Sequence, residues 1–529
     1  MAKTKTKTKT KTTTSSSPDP PTSSSLFPWS SSSPSLATPT VLLISLFAFL
    51  VRVLVSLGPY SGEGTPPKYG DYEAQRHWME IALHLPPSDW YRNSSANDLS
   101  YWGLDYPPLS AYQSRAHALL LNATIPESVA LGASRGFESK PSKLLMRWTV
   151  LSSDLIVFFP AALYFVWVYR RVFVGGGVCD RDGGSVLWLL AMILLNPCLI
   201  LIDHGHFQYN CISLGLTLGA IAAVLSQNEL AASALFTLAI NHKQMSLYFA
   251  PAFFSHLLGK CLKRRFPVIE VTKLGVVVLA TFALVWWPYL HSLEAFIEVL
   301  SRLAPFERGI FEDYVANFWC STSVFIKWKR LFSVQSLKLL SLFTTILGFL
   351  PLLVQQVKSP SNLGFLYSLL NSSFSFFLFS YQVHEKSILL PLLPASLLGL
   401  QEPQLYGWFV YYALFSMYPL LRRDRLILQY IAVLALFGLI FHSPDRSRGT
   451  KTSRFYTRKE LLALPLFFSI ILHFVYVITQ PPEKYPFLFE AMIMFLCFSQ
   501  FVSLVMYTNI RQWTLSESFS LSMRAKKDI

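Results

Sequence analysis

Fourteen stretches dominated by apolar side chains punctuate the chain, at residues 40–57, 145–168, 185–202, 209–225, 229–240, 245–258, 268–287, 336–354, 362–380, 386–400, 404–420, 427–441, 460–479 and 486–507. About 20 apolar residues cross the hydrocarbon core of a bilayer as a helix, and a helix satisfies its own backbone groups there. The pattern predicts an all-α polytopic membrane protein with about 14 transmembrane helices. The two shortest stretches, 229–240 and 245–258, read equally as a re-entrant pair, which leaves the parity of crossings unchanged. An even number places both termini on one side. A single long polar insert, about residues 58–144, interrupts the apolar text. The expected organisation is a tail at 1–39, a first transmembrane helix at 40–57, a loop with amphipathic helices at 58–144, a multi-helix transmembrane domain at 145–507 and a second tail at 508–529.

Composition supports this class. The 529 residues are 52% hydrophobic and only 14% charged, against about 25% charged in soluble domains, too few to cover a water-facing surface. The net charge of +15 raises nucleic acid as a partner. In a membrane protein, however, basic residues gather in cytosolic loops, and no aromatic-basic groove or recognition motif appears. The lipid bilayer is the expected partner, and nucleic acid is not. The six cysteines include no CxxC pair, so they offer neither a disulfide framework nor a zinc site.

Charge also orients the chain. Five lysines between Lys3 and Lys11 keep the first tail cytosolic, and this low-complexity segment has too little apolar surface to fold. Arg52, near the far end of the first span, reads as a snorkelling side chain. Threading onward puts Arg170–Arg171, the Lys260 to Arg265 cluster, the loop 443–459 and the C-terminal tail in the cytosol, all rich in Lys and Arg. Arg422, Arg423 and Arg425 fall on the lumen side against the rule, through a miscounted span or a role such as binding phosphate. The long insert becomes luminal and carries two N-glycosylation acceptors, Asn93 and Asn122. Lys526 and Lys527 form a dilysine retrieval signal for the endoplasmic reticulum.

Six polar clusters lie at the luminal ends of the spans: Asp71–Trp78, Trp102–Pro108, Asp203–Gln208, Asn241–Gln244, 305–319 and Tyr381–Lys386. Ionisable groups at membrane depth are costly and mark functional sites. After Gly70, the residues Ala74, Trp78, Ile81, Ala82 and Leu85 recur at helical spacing, with Glu73, His77, Glu80 and His84 opposite, predicting an amphipathic helix along the interface. Asp71 heads that helix and serves equally as its cap or as an ionised base. Asp105 sits on a stiff segment before Tyr106, Pro107 and Pro108, and reads as a turn residue or as a ligand contact. His204 and His206 have no glutamate at ligand spacing, so headgroup contacts are favoured over a metal. Lys386, beside His384 and Glu385, is either a snorkelling anchor or, with His384, a partner for a lipid phosphate.

The segments Asp71–Trp78, Tyr101–Leu109, Ser134–Ser139, His204–Asn210 and Val383–Lys386 closely resemble those of the endoplasmic-reticulum dolichyl-phosphate-glucose α-1,3-glucosyltransferase family, over about residues 40–510. The motifs at Trp102–Leu109 and Ser134–Ser139 look like the member that adds the first glucose to the lipid-linked oligosaccharide. The resemblance implies a GT-C glycosyltransferase fold, a long first luminal loop and an inverting transfer of glucose in the endoplasmic-reticulum membrane. Its substrates would be dolichyl-phosphate glucose as donor and a dolichyl-pyrophosphate-linked oligosaccharide as acceptor. It implies Asp71 as catalytic base, and the candidate substrate-binding residues are Glu73, Arg76, His77, Trp102, Asp105, Tyr106, His204, His206, Gln208, His384, Glu385 and Lys386. A departing dolichyl phosphate needs no proton, so one base suffices where a glycosidase needs two carboxylates. No cofactor beyond the lipid-linked donor and no metal is required. The alternatives are the member that adds the second glucose and a polytopic lipid or sugar transporter. A transporter is expected to carry mid-membrane polar residues on broken helices in two matching halves, and no half-repeat is visible.

Overall fold

The computed structural model describes residues 38–174, 183–303, 310, 314–442 and 460–525. Among them every regular element is helical. Six helices among the described residues are long and apolar enough to cross a membrane: Thr38–Ser56, Lys140–Val174, Gly184–Phe207, Pro267–Tyr289, Val334–Lys358 and Leu488–Leu515. The other predicted apolar stretches also fall on helices, most of them shorter, among them Asn210–Leu225, Glu229–His242, Ala250–Leu262 and Ile427–Phe441. The first tail up to residue 37, the basic loop 443–459, most of 305–319 and the dilysine pair Lys526–Lys527 lie outside the described residues.

Position in the bundle follows from how far round each helix is apolar. Asn210–Leu225 is apolar on every face and almost wholly buried, as a helix without a polar stripe must be when it sits inside protein. Pro267–Tyr289 is equally apolar, yet only 6% of its span is buried, so it offers its side chains to lipid. Buried in the bundle, Arg52 departs from the snorkelling expectation. It is 0% exposed, pairs with Asp154 and donates to the carbonyl of Leu194 at 2.6 Å. A lone charge at that depth is unfavourable, and a partner from the next long helix removes the penalty.

The first loop forms a second layer on one end of the bundle. Its helices Asp71–His84 and Pro108–Thr124 pack on each other around Trp78, Ile81, Ala82, Trp90 and Ala111. The same cluster takes in Val285, Trp286 and Tyr289 from the end of one long helix and Val299 from Leu293–Leu303. Each large apolar side chain buried there contributes roughly 1.5–3 kcal/mol. The predicted amphipathic helix is therefore real, but it is covered on both faces rather than lying on an interface: Glu73, Arg76, His77 and Glu80 are all buried.

Candidate active site

Between the first-loop layer and the bundle lies a cavity of about 1050 Å³. The helix Asp71–His84 presents Asp71, Ala74, Gln75 and Trp78 to it. That is the i, i+3, i+4, i+7 face counted from Asp71. The helix cap is Gly70, which has no side chain to offer the first turn. Asp71 is instead the first helical residue, with its carboxylate turned into the cavity, where the helix dipole favours a negative charge. A tight turn sets this start. Gly62 has φ +77°, and a Cβ there would lie 1.9 Å from the Gly70 nitrogen. This packing brings Ser61 Oγ to accept the Asp71 backbone N–H at 3.3 Å.

Three donors from two other parts of the chain reach the Asp71 carboxylate, and all three land on Oδ2. Lys386 Nζ donates at 2.6 Å, His206 Nε2 lies at 3.0 Å, and Gln208 Nε2 donates as well. Burial alone raises the Asp71 pKa, but Lys386 and His206 outweigh it and hold the carboxyl well below its ordinary range. Asp71 is thus ionised at neutral pH, with Oδ1 left for a proton.

His206 and Gln208 owe their placement to local strain. Residues Leu201–Phe207 widen into a π-helical turn, Phe207 has φ +93°, and Gln208 is extended. Such bulges recur at functional sites. His206 Nδ1 meets Asp424, whose carboxylate is buried in the turn after Tyr418–Arg423. Gln208 is held from behind by Lys243, which donates to Gln208 Oε1 at 3.0 Å and to Asn210 Oδ1 at 2.6 Å. Lys386 comes from the short 3-10 turn Glu385–Ile388, with His384 at its N-cap.

Trp102, Asp105, Tyr106, His206, Gln208, His384, Glu385 and Lys386 therefore share the cavity with Asp71. Trp102 has φ +51°, and its indole N–H donates to the Lys68 carbonyl at 2.5 Å. Gln244 donates to the Asp105 carbonyl at 3.0 Å. Four expected substrate contacts lie elsewhere. Arg76 is gripped by Glu73 (2.7 Å) and Glu80 (2.9 Å) and donates to the Ser128 carbonyl at 3.0 Å. His77 Nδ1 lies 3.3 Å from Glu80. Glu73 also accepts from Tyr101 (2.9 Å) and the Gly136 N–H (3.1 Å). These three side chains brace the first loop behind the Asp71 face instead of lining the cavity. His204 points into the bundle, 2.9 Å from Asp154.

Asn93 and Asn122 are both exposed on the first loop. Among the described residues no three His, Cys, Asp or Glu side chains converge as metal ligands. Asp424 and Lys243 carry no role in the sequence reading. Asp424 sits inside Arg422–Arg425, which reads as a charge anomaly, although Arg423, Asp424 and Arg425 all line the cavity. Arg422 turns away, with its guanidinium 4.2 Å above the Tyr476 ring.

An ionised carboxylate with one anchored and one open oxygen, facing a roomy cavity rimmed by cations and aromatic rings, suits proton abstraction from a sugar hydroxyl. The chain is 60% identical over 500 residues to a probable dolichyl pyrophosphate Man9GlcNAc2 alpha-1,3-glucosyltransferase of Arabidopsis thaliana, covering 93% of each chain. It is 40% identical over 526 residues to the dolichyl pyrophosphate Man9GlcNAc2 alpha-1,3-glucosyltransferase of Saccharomyces cerevisiae, covering 92% of this chain and 93% of that one. It is also 40% identical over 491 residues to the protein of that name from Pongo abelii, covering 88% and 95%. With residues 48–507 matching it as well, the chain belongs to the ALG6, ALG8 glycosyltransferase family.

Proposed function

We propose that this membrane protein transfers glucose from dolichyl-phosphate glucose to the terminal mannose of a dolichyl-pyrophosphate-linked Man9GlcNAc2 oligosaccharide, making an α-1,3 bond. The proposal includes a GT-C fold of about 14 transmembrane helices, residence in the endoplasmic-reticulum membrane and a cavity facing the lumen. One observation carries the chemistry: all three donors to Asp71 sit on Oδ2, which leaves Oδ1 to the cavity.

In the proposed step Asp71 Oδ1 takes the acceptor's hydroxyl proton as the acceptor oxygen bonds to C1 of glucose. The bond from C1 to the phosphate oxygen breaks, and its electron pair leaves on dolichyl phosphate. Attack opposite the leaving group inverts C1, turning a β-linked glucosyl phosphate into an α-glucoside. The negative charge lost by Asp71 on protonation reappears on the phosphate, which passes from a singly charged diester to a doubly charged monoester. Lys386, already 2.6 Å from Asp71, is the cation assigned to the departing phosphate, together with His384 from the same cavity wall. Preorganised cations aimed at developing charge are the largest single contribution in many enzymes. Asp105, with Trp102 and Tyr106, is assigned to the acceptor sugar. This chemistry gives no role to a metal.

The test is purified protein given labelled dolichyl-phosphate glucose or a sugar nucleotide, with acceptors bearing no glucose or one. Transfer from the lipid donor to the glucose-free acceptor is expected. Transfer only to the singly glucosylated acceptor assigns the second step instead, and movement of donor without any product assigns a transporter.

A further inference from the structure

One buried carboxylate in the cavity wall has no part in the step above. Asp424 closes the turn after Tyr418–Arg423, with its backbone N–H donating to the Leu420 carbonyl at 3.1 Å. Its side chain is 3% exposed, and Oδ2 meets His206 Nδ1. On the other side of the ring, Nε2 lies 3.0 Å from Asp71 Oδ2 and 3.2 Å from Lys386 Nζ.

A carboxylate only accepts, so this contact puts a proton on His206 Nδ1. The second nitrogen then has two states, and a partner waits for each. Protonated, Nε2 donates to Asp71. Bare, it accepts from Lys386. The ring keeps its place in both states, provided that Nδ1 stays protonated, but it holds Asp71 Oδ2 only while Nε2 carries a proton. A carboxylate behind a histidine is a general device for fixing tautomer and ring orientation.

We propose that Asp424 is a positioning residue for the transfer reaction: by accepting from His206 Nδ1–H it fixes the ring so that Nε2–H anchors Asp71 Oδ2, and so aims Oδ1 at the acceptor. The inference rests on Asp71 being the base. The charged groups around this chain are Lys386 beside Asp71, Lys243 behind Gln208, and Arg423 and Arg425 on either side of Asp424. A purely structural role, closing the turn, is the competing explanation.

Asparagine at 424 keeps the size and still accepts from Nδ1–H, but it no longer enforces a proton on Nδ1, because its amide can also donate. For Asp424→Asn the expected result is a kcat lower by about 10- to 100-fold, the range for groups that orient a catalytic side chain, with the KM of both substrates near wild type. His206→Gln is expected to lose at least as much, and adding Asp424→Asn to it is expected to change nothing further. Wild-type kcat in either single variant, losses that multiply in the double variant, or a rise in both KM values with kcat intact would overturn the assignment. Should Asp424→Asn fail to fold, His206→Gln alone still decides: a wild-type rate in that variant refutes the anchor. Asp71→Asn separates the two levels. If that variant still transfers glucose, the base assignment fails and this one with it. An inactive Asp71→Asn beside a normal Asp424→Asn removes only the positioning role.

Discussion

Replacing Lys386 with glutamine removes one positive charge from the cavity while leaving an amide able to donate to Asp71. Lys386 Nζ and Asp71 Oδ2 are 2.6 Å apart, and their side chains retain 19% and 23% exposure, so the pair faces a wet cavity rather than dry protein. With an effective dielectric constant between about 40 and 80, Coulomb's law gives roughly 1.6–3.2 kcal/mol for unit charges at that distance. At about 1.36 kcal/mol per tenfold change in proton affinity, the loss raises the pKa of Asp71 by roughly one to two pH units. The sign is fixed: Asp71 is held low by Lys386 and His206, and removing one of these cations lets the value rise. The acid limb of kcat/KM, which reports the base in the free enzyme, should move toward neutral pH by that amount. At neutral pH kcat should also fall, by about 10²- to 10³-fold, because the phosphate gains its second charge without its nearest cation. The assay is glucose transfer from labelled lipid donor by detergent-purified protein between about pH 3 and 8. An unmoved acid limb with unchanged kcat would return Lys386 to a membrane anchor.

Three further outcomes follow, two from the first loop and one from the proposed topology. Burial raises the pKa of Glu80, but the His77 hydrogen bond, Arg76 and the Gly132 N–H overrule it and bring the value down from 4.5 to about 2. This depressed carboxylate contributes about 3 kcal/mol, present above pH 4.5 and lost as the pH falls toward 2. Glu80→Gln should therefore lower the melting temperature near neutral pH, and the gap to wild type should shrink by more than half from about pH 6 to about pH 3; a constant gap contradicts it. Asn93 or Asn122, both exposed, should carry glycan, and a C-terminal tag should be digested from outside sealed microsomes. Protection of that tag overturns the proposed topology.

The apolar periodicity made most of the helices legible, because a lipid-facing or bundle-buried helix announces itself by composition alone. The one-sided polar clusters also foreshadowed a shared cavity, although Asp71 and Lys386 are 315 residues apart. Three features were hidden for physical reasons. The motif Asp71–Trp78 contains two faces, and only the spacing i, i+3, i+4, i+7 from Asp71 separates cavity residues from the Glu73–Arg76–Glu80 brace. Arg52 gave no hint of burial until Asp154, a lone carboxylate in another apolar stretch, was brought against it. Asp424 is one acid among three arginines, and nothing in a charge pattern says that a carboxylate will sit behind a histidine more than 200 positions earlier.

The central claim is that Asp71 is the base, and Asp71→Asn tests it most directly. The amide oxygen can take the place of Oδ2 and keep the contacts with Lys386, His206 and Gln208, while the NH2 group replaces Oδ1 and cannot accept a proton. Single-turnover transfer by this variant should be slower by at least about 10²-fold with donor binding near wild type. Near wild-type transfer by Asp71→Asn, with Asp105→Asn inactive, would contradict the account and move the base to Asp105.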